Sequence, residues 1–216
     1  MNKTIKKQPA EEYLRHIFPE LVFVKTDNYL KVSDKIEHKI IESEGLSLDT
    51  KLDLLLQLIQ SSASEYFVVF AQKNESVRQI SQFLGENGVP VIEFQSELKE
   101  AQRVERLFQF RSGKYPIFVC GDSANRGLHF DFDAHVVQFD SAQNAINLLH
   151  RFGRTGRLGK KGKVTSFVVE EDYALLTRFQ DLMENAERIT PIVTRKRSFS
   201  KNLKKAGSSD QEGQEI

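Results

Sequence analysis

From about residue 36 the chain alternates short apolar runs, rich in β-branched and aromatic residues, with longer amphipathic ones. This alternation restricts the fold more than any other feature. The runs Ile36–Ile41, Tyr66–Phe70, Val89–Phe94, Pro116–Cys120, Val136–Phe139 and Lys163–Val169 have strand length and composition. YFVVF and PIFVC are apolar without a break, as strands buried on both faces are. Between them, Leu52, Leu55, Leu56 and Ile59 form one apolar helical face, with Asp49 as the expected cap. Val77, Ile80, Phe83 and Leu84 form a second face, and Val104, Leu107 and Phe108 a third. Ala145–Phe152 and Ala174–Met183 complete the helical runs. Strands alternating with helices imply a parallel sheet covered on both sides. Right-handed crossovers then make the expected fold α/β, a doubly wound parallel sheet. Such sheets bind ligands beyond the carboxyl ends of their strands. The loops after Phe70, Phe94, Cys120 and Phe139 are therefore the expected functional ones.

The flanks read differently. Residues 1–35 hold one amphipathic helix through Tyr13, Leu14 and Ile17, a short strand at Leu21–Val24 and a polar linker at Lys25–Lys35. Residues 36–188 form the expected main domain. Residues 189–216 are a basic tail, with Arg195, Lys196, Arg197, Lys201, Lys204 and Lys205, ending in acidic and small polar residues. Such a tail lacks the apolar content to build a core and is expected to be disordered. The formal net charge is only +1, so any basic binding surface must be local. The single cysteine, Cys120, lies in an apolar run and reads as a buried core residue. No apolar run approaches the ~18 residues of a membrane span, and the basic start has no apolar segment after it as a signal peptide would. The chain is expected inside the cell, in no particular compartment.

The segment richest in chemistry is His150-Arg151-Phe152-Gly153-Arg154-Thr155-Gly156-Arg157. Three arginines crowd into eight residues, broken by two glycines. Guanidinium forks suit phosphate oxygens and stay charged, and glycines permit a tight course that lets them converge. A plain solvated basic face is the alternative. HRFGRTGR resembles motif VI of the DEAD-box RNA helicases, HRxGRxxR, at every fixed position. The resemblance implies a RecA-like helicase C-terminal domain. It also implies that Arg154 and Arg157 act as arginine fingers on the γ-phosphate of ATP, while His150 and Arg151 couple the nucleotide to the domain interface. A finger is worth roughly 10³ to 10⁵ in rate where measured in GTPases.

Further segments resemble the family in its order. Asp122, Arg126 and Gly127 match motif V, TDVxARGID. Gly121 stands where the family has a threonine whose hydroxyl bonds an RNA phosphate, and His129 where an aspartate meets the ATP ribose. His129 reads either as a ribose contact or as a loop histidine without a ligand. Phe70 matches motif IV, which implies RNA phosphate contacts at Gln72, Lys73 and Asn74. FRSGK at Phe110–Lys114 is intact. Arg103 falls on the arginine of QxxR, Glu100 on its glutamine, and Gln95-Ser96 replace His-Gly. RNA contacts of this kind are to the backbone and carry no sequence information.

No GxxxxGK[ST] and no DEAD sequence occur, so the resemblance implies that ATP and Mg²⁺ are held mainly by a preceding RecA-like domain acting in cis. The first four residues, Met1 to Thr4, resemble the run just after the family's SAT motif, so residues 1 to about 30 are expected to be the end of that domain and the chain a fragment of a monomeric helicase. Two other readings compete. One is a non-catalytic RNA- or protein-binding adaptor. The other is a DNA translocase of the remodelling type, against which His150 and the Gly153/Gly156 pair argue.

Overall fold

The computed structural model describes residues 9–22, 33, 35–122 and 132–185. Six strands form one sheet: β1 (Ile36–Glu42), β2 (Phe67–Phe70), β3 (Val91–Phe94), β4 (Ile117–Cys120), β5 (His135–Gln138) and β6 (Gly162–Val168). Every pairing is parallel, and the order is β1-β6-β5-β2-β4-β3. The helices are α1 (Pro9–Ile17), α2 (Leu48–Ser61), α3 (Asn74–Glu86), α4 (Glu100–Arg111), α5 (Ala145–Phe152) and α6 (Glu170–Glu184). The doubly wound sheet expected from the alternation is the one observed.

The sheet separates two apolar layers. Successive strand residues point to opposite faces. Phe67 and Val69 join Leu52 and Leu55 of α2 and Val77, Ile80 and Leu84 of α3 on one face. Val68 and Phe70 join Phe110 of α4, Leu148 and Phe152 of α5, and Leu175, Leu176 and Phe179 of α6 on the other. Cys120 lies in the second layer, fully buried, and burial pushes its thiol pKa up. β5 is followed by α5 on one face and its neighbour β2 by α3 on the other. The crevice between these two strands is therefore the switch point of the sheet.

Strand ends differ from the sequence reading by one or two residues, as hydrogen bonding rather than hydropathy sets them. The cap of α2 is a clearer correction. Ser47, not Asp49, caps it, with its hydroxyl accepting from the Thr50 amide at 3.1 Å. Asp49 sits in the first turn, where a carboxylate is favourable to the helix dipole. In α1, Tyr13, Leu14 and Ile17 are all exposed. Of the expected strand at Leu21–Val24, Leu21 and Val22 carry no strand and the other two residues lie outside the described set. The expected tail also lies outside it. Among the described residues no helix is long and apolar enough to cross a membrane.

Candidate functional site

The arginine segment begins on α5. Asn144 caps this helix, its side-chain oxygen accepting from the Asn147 amide at 2.8 Å. α5 buries Ala145, Leu148, Arg151 and Phe152 and leaves His150 exposed. Past Gly153 the chain tightens: the Arg154 amide donates to the Arg151 carbonyl at 3.0 Å and the Thr155 amide to the Phe152 carbonyl at 3.1 Å. Gly156 is left-handed, with φ 63°. A Cβ there would fall 2.8 Å from Ile36 Cγ1, and a Cβ on Gly162 would fall 2.6 Å from the Gly156 nitrogen. The loop thus crosses the first residues of β1 and β6 in a space only two glycines allow. Lys35 fastens it further: its Nζ donates to the Gly159 carbonyl at 2.9 Å, and its carbonyl accepts from the Gly162 amide at 3.1 Å. The strand-end rule pointed to the opposite edge. It misses this loop because the loop follows a helix and is seated on the amino ends of two strands.

Arg154 and Arg157 are both partly buried on this loop. Arg157 Nε donates to the Gly153 carbonyl at 2.7 Å. Burial, and then the neighbouring Arg157 charge, hold the Arg154 pKa below its ordinary value. The two cations are close enough to disfavour one another, so an anionic group between them would be held electrostatically.

Arg151 departs from the sequence reading, which placed it with the nucleotide-facing residues. It is 0% exposed. Its Nε donates to Asp122 Oδ1 at 2.7 Å and one terminal nitrogen to Asp122 Oδ2 at 2.9 Å. The other terminal nitrogen reaches the Asp140 carbonyl at 2.6 Å and Gln138 Oε1 at 3.3 Å. The guanidinium also lies over the Phe70 ring, 5.0 Å from its centre. A fork so engaged positions its surroundings and does not reach out to a ligand. Asp122, read as an RNA contact, has one oxygen on Arg151 Nε and the other shared between Arg151 and Asn147 Nδ2, the latter at 3.3 Å. Its side chain is an anchor for Arg151.

The other residues line the carboxyl edge of the sheet. Gln72 and Lys73 are exposed, and the Gln72 amide donates to Asp140 Oδ2 at 2.8 Å. Lys73 precedes α3, and Asn74 opens it with Nδ2 donating to Glu97 Oε1 at 2.9 Å. Arg103 of α4 stacks over Phe94, 5.0 Å from the ring centre. Gln95, which replaces the family's histidine, is 4% exposed and donates to Glu93 Oε1 at 2.7 Å, so it ties the loop down. Gly121 follows β4 directly, and among the described residues a Cβ there would meet only the Ala71 carbonyl oxygen at 3.7 Å, an ordinary contact. Arg126, Gly127 and His129 lie outside the described residues.

Lys51 and Asp140 are absent from the sequence reading, yet they shape this edge. A cleft of about 310 Å³ opens at the β2–β5 switch point, lined by Lys51, Gln72, Lys73, Asp140 and Asp172 among others. Lys51 Nζ donates to the Phe139 carbonyl at 2.9 Å, lies 3.8 Å from Asp140 Oδ1 and sits 4.3 Å above the Phe139 ring centre. Burial lowers its pKa, with the Asp140 charge opposing. Asp140 lies two residues past the end of the buried strand β5, which was the available signal. Lys51, inside a helical run, gave none.

With this geometry in view, residues 50–159 match the model of the helicase conserved C-terminal domain. The chain belongs to that family. Within it, the HRFGRTGR loop and its relatives make the chain a DEAD-box helicase C-terminal domain with a RecA-like fold. It is 35% identical to DEAD-box ATP-dependent RNA helicase 39 of Arabidopsis thaliana over 90% of this chain and 31% of that one. It is 32% identical to ATP-dependent RNA helicase RhlB of Pseudomonas aeruginosa over 76% of this chain and 40% of that one. The chain thus spans about a third to two fifths of the length of the curated relatives it matches. Among solved structures, the E. coli DEAD-box protein SrmB bound to regulator of ribonuclease activity A superposes with a TM-score of 0.62 and 28% identity, over 74% of this chain and 89% of that one. S. cerevisiae Dbp5 bound to RNA and ADP BeF3 shares the fold, with a TM-score of 0.66 and 22% identity over 80% of this chain and 46% of that one.

Proposed function

We propose that this domain is the C-terminal half of an ATP-dependent RNA helicase and works only when closed against a preceding RecA-like domain. That domain would hold ATP and supply the carboxylates for Mg²⁺. Arg154 and Arg157 would enter the shared cleft from the glycine-fixed loop and offset the charge that develops on the γ-phosphate, with His150 exposed beside them. On the carboxyl edge, Gln72, Lys73, Asn74, Arg103 and the backbone at Gly121 and Asp122 would hold one strand of RNA by its phosphates, with Arg126. Gly127 and His129 would meet the nucleotide. Contacts of this sort are blind to base sequence.

The observation that carries this reading is the pairing of two partly buried arginines whose charges disfavour each other on a loop held rigid by Gly156 and Gly162. An anion placed between the two charges would favour both of them. The names of the relatives, ATP-dependent RNA helicases, support the same ligand class.

The test is RNA-stimulated ATP turnover by a protein carrying both domains. Arg154→Ala and Arg157→Ala are each expected to lower kcat about 10³-fold with little change in KM, as removal of a finger does. The 216-residue chain alone is expected to turn over no ATP. An Arg154→Ala protein with undiminished kcat would overturn the reading. Salt-dependent RNA binding without any turnover in the two-domain protein would favour a binding module instead.

A further inference from the structure

The Arg151 guanidinium is one end of a longer polar chain inside the apolar layer. Gln138 Oε1 accepts from Arg151 at 3.3 Å, and Gln138 Nε2 donates to Ser166 Oγ at 2.6 Å. Ser166 Oγ lies 2.8 Å from His38 Nε2, and His38 Nδ1 lies 3.4 Å from Gln180 Nε2 on α6. The chain joins the loop after β4 to α5, β5, β6, β1 and α6. Gln138 and Ser166 are adjacent in the β5–β6 register, and each is 1% exposed. Around them the layer is apolar: Val68, Phe70, Val136, Leu148, Phe152 and Val164.

Burying such groups gains nothing over apolar residues of similar shape, and half-satisfied they are costly. An apolar residue of similar shape at 138 or 166 would need no partner here. The polar set does what apolar residues would not: together with the Asp140 carbonyl, 2.6 Å from the same nitrogen, it holds the Arg151 terminal nitrogen that Asp122 does not reach. Arg151 is in turn the residue whose carbonyl receives the Arg154 amide at 3.0 Å.

We propose that Gln138, Ser166 and His38 are positioning residues that orient Arg151 and, through its backbone, the loop bearing Arg154 and Arg157. His38 suits the task because burial lowers its pKa to about 4, so it sits in the layer as a neutral ring. The functional part of the proposal rests on the helicase reading above. The structural part does not.

Two measurements separate them. In the 216-residue chain, solvent exchange of the Arg151 Nε–H proton reports by NMR how firmly the guanidinium is held. Gln138→Leu and Ser166→Ala are expected to speed it roughly five- to tenfold, as loss of one net hydrogen bond would. Leu84→Ala, on the opposite face of the sheet, is expected to leave it unchanged at comparable loss of stability. Ser166→Thr keeps the hydroxyl and is expected to restore protection. In a protein carrying both domains, Gln138→Leu is expected to lower kcat for ATP about tenfold with KM little moved, and Leu84→Ala to leave kcat alone. Unchanged exchange in Gln138→Leu overturns the proposal whatever the enzyme does. Faster exchange with undiminished kcat overturns its functional half. A two-domain protein that turns over no ATP sinks the helicase reading and leaves the exchange arm standing.

Discussion

Asp122 and Arg151 meet through two parallel hydrogen bonds, 2.7 Å from Nε to Oδ1 and 2.9 Å from a terminal nitrogen to Oδ2. The pair clamps the loop after β4 to the helix that carries the arginine segment. The guanidinium is wholly inside, while the carboxylate keeps 23% of its side-chain surface exposed. Removing one partner strands the other, and the cost is asymmetric. Arg151→Ala leaves a carboxylate that water can reach, whereas Asp122→Ala leaves a cation that water cannot. Breaking a buried pair costs about 3 to 5 kcal/mol. Asp122→Ala is expected at the upper end of that range and Arg151→Ala at the lower, by urea denaturation. The double variant should lose less than the two losses added. Additive losses would show that the pair does not act as a unit.

Gly156 and Gly88 are both left-handed, but their surroundings differ. A Cβ on Gly88 meets nothing within 4 Å, whereas one on Gly156 meets Ile36 Cγ1 at 2.8 Å. Gly88→Ala is therefore expected to cost only the backbone strain, about 1 to 2 kcal/mol. Gly156→Ala adds overpacking against β1 and is expected to cost about 2 to 5 kcal/mol. Thermal or urea unfolding of the two variants checks the order. Equal losses would mean that the arginine loop is not pressed against the sheet.

His38 and His135 give the domain an acid limit. Burial lowers both pKa values from 6.5 to about 4, and for His135 the charges of Lys163 and Lys39 add to the effect. His135 is held by Thr165 Oγ1 at 2.8 Å and stacks on Phe67. Below pH 6.5 the unfolded chain takes up protons that the folded one refuses. Stability is therefore complete above about 6.5 and falls as pH drops towards 4. Between pH 7.5 and 5 each histidine is expected to withdraw about 2 kcal/mol. His38→Gln should remove one such share from the difference between urea curves at the two pH values. An unchanged difference would count against a buried, neutral His38.

Why was the sheet legible in the sequence and Arg151 not? FVVF and IFVC announce themselves, because a strand covered on both faces has no polar position to confuse the pattern. Two glycines among arginines were legible as a tight course for the same local reason. Arg151 owes its burial to Asp122, Gln138 and Asp140, which lie 29, 13 and 11 residues away in the chain and on two other segments, the ends of β4 and β5. No periodicity along α5 reveals partners delivered by other strands. Lys51 is hidden likewise, since its acceptor Phe139 is 88 residues away. Local pattern thus reads surfaces that each segment makes alone, and fails where a charge is satisfied across the sheet.

Gly121 offers a test of the proposed RNA edge by gain rather than loss. The related helicases resembled by this loop carry a threonine there, and its hydroxyl would bond an RNA phosphate. Among the described residues, a Cβ on Gly121 makes only an ordinary 3.7 Å contact, with the Ala71 carbonyl oxygen. Gly121→Thr is therefore expected to fold with unchanged stability and to bind single-stranded RNA at least about tenfold more tightly, as one added hydrogen bond to a charged group would give. The hydroxyl is neutral, so the slope of log affinity against log salt should stay as it was. Lys73→Ala, which removes a cation from the same edge, should instead make that slope shallower by about 0.7. If Gly121→Thr leaves affinity unchanged while Lys73→Ala flattens the slope, RNA runs past Lys73 without touching the end of β4, and the proposed groove must be redrawn away from that strand.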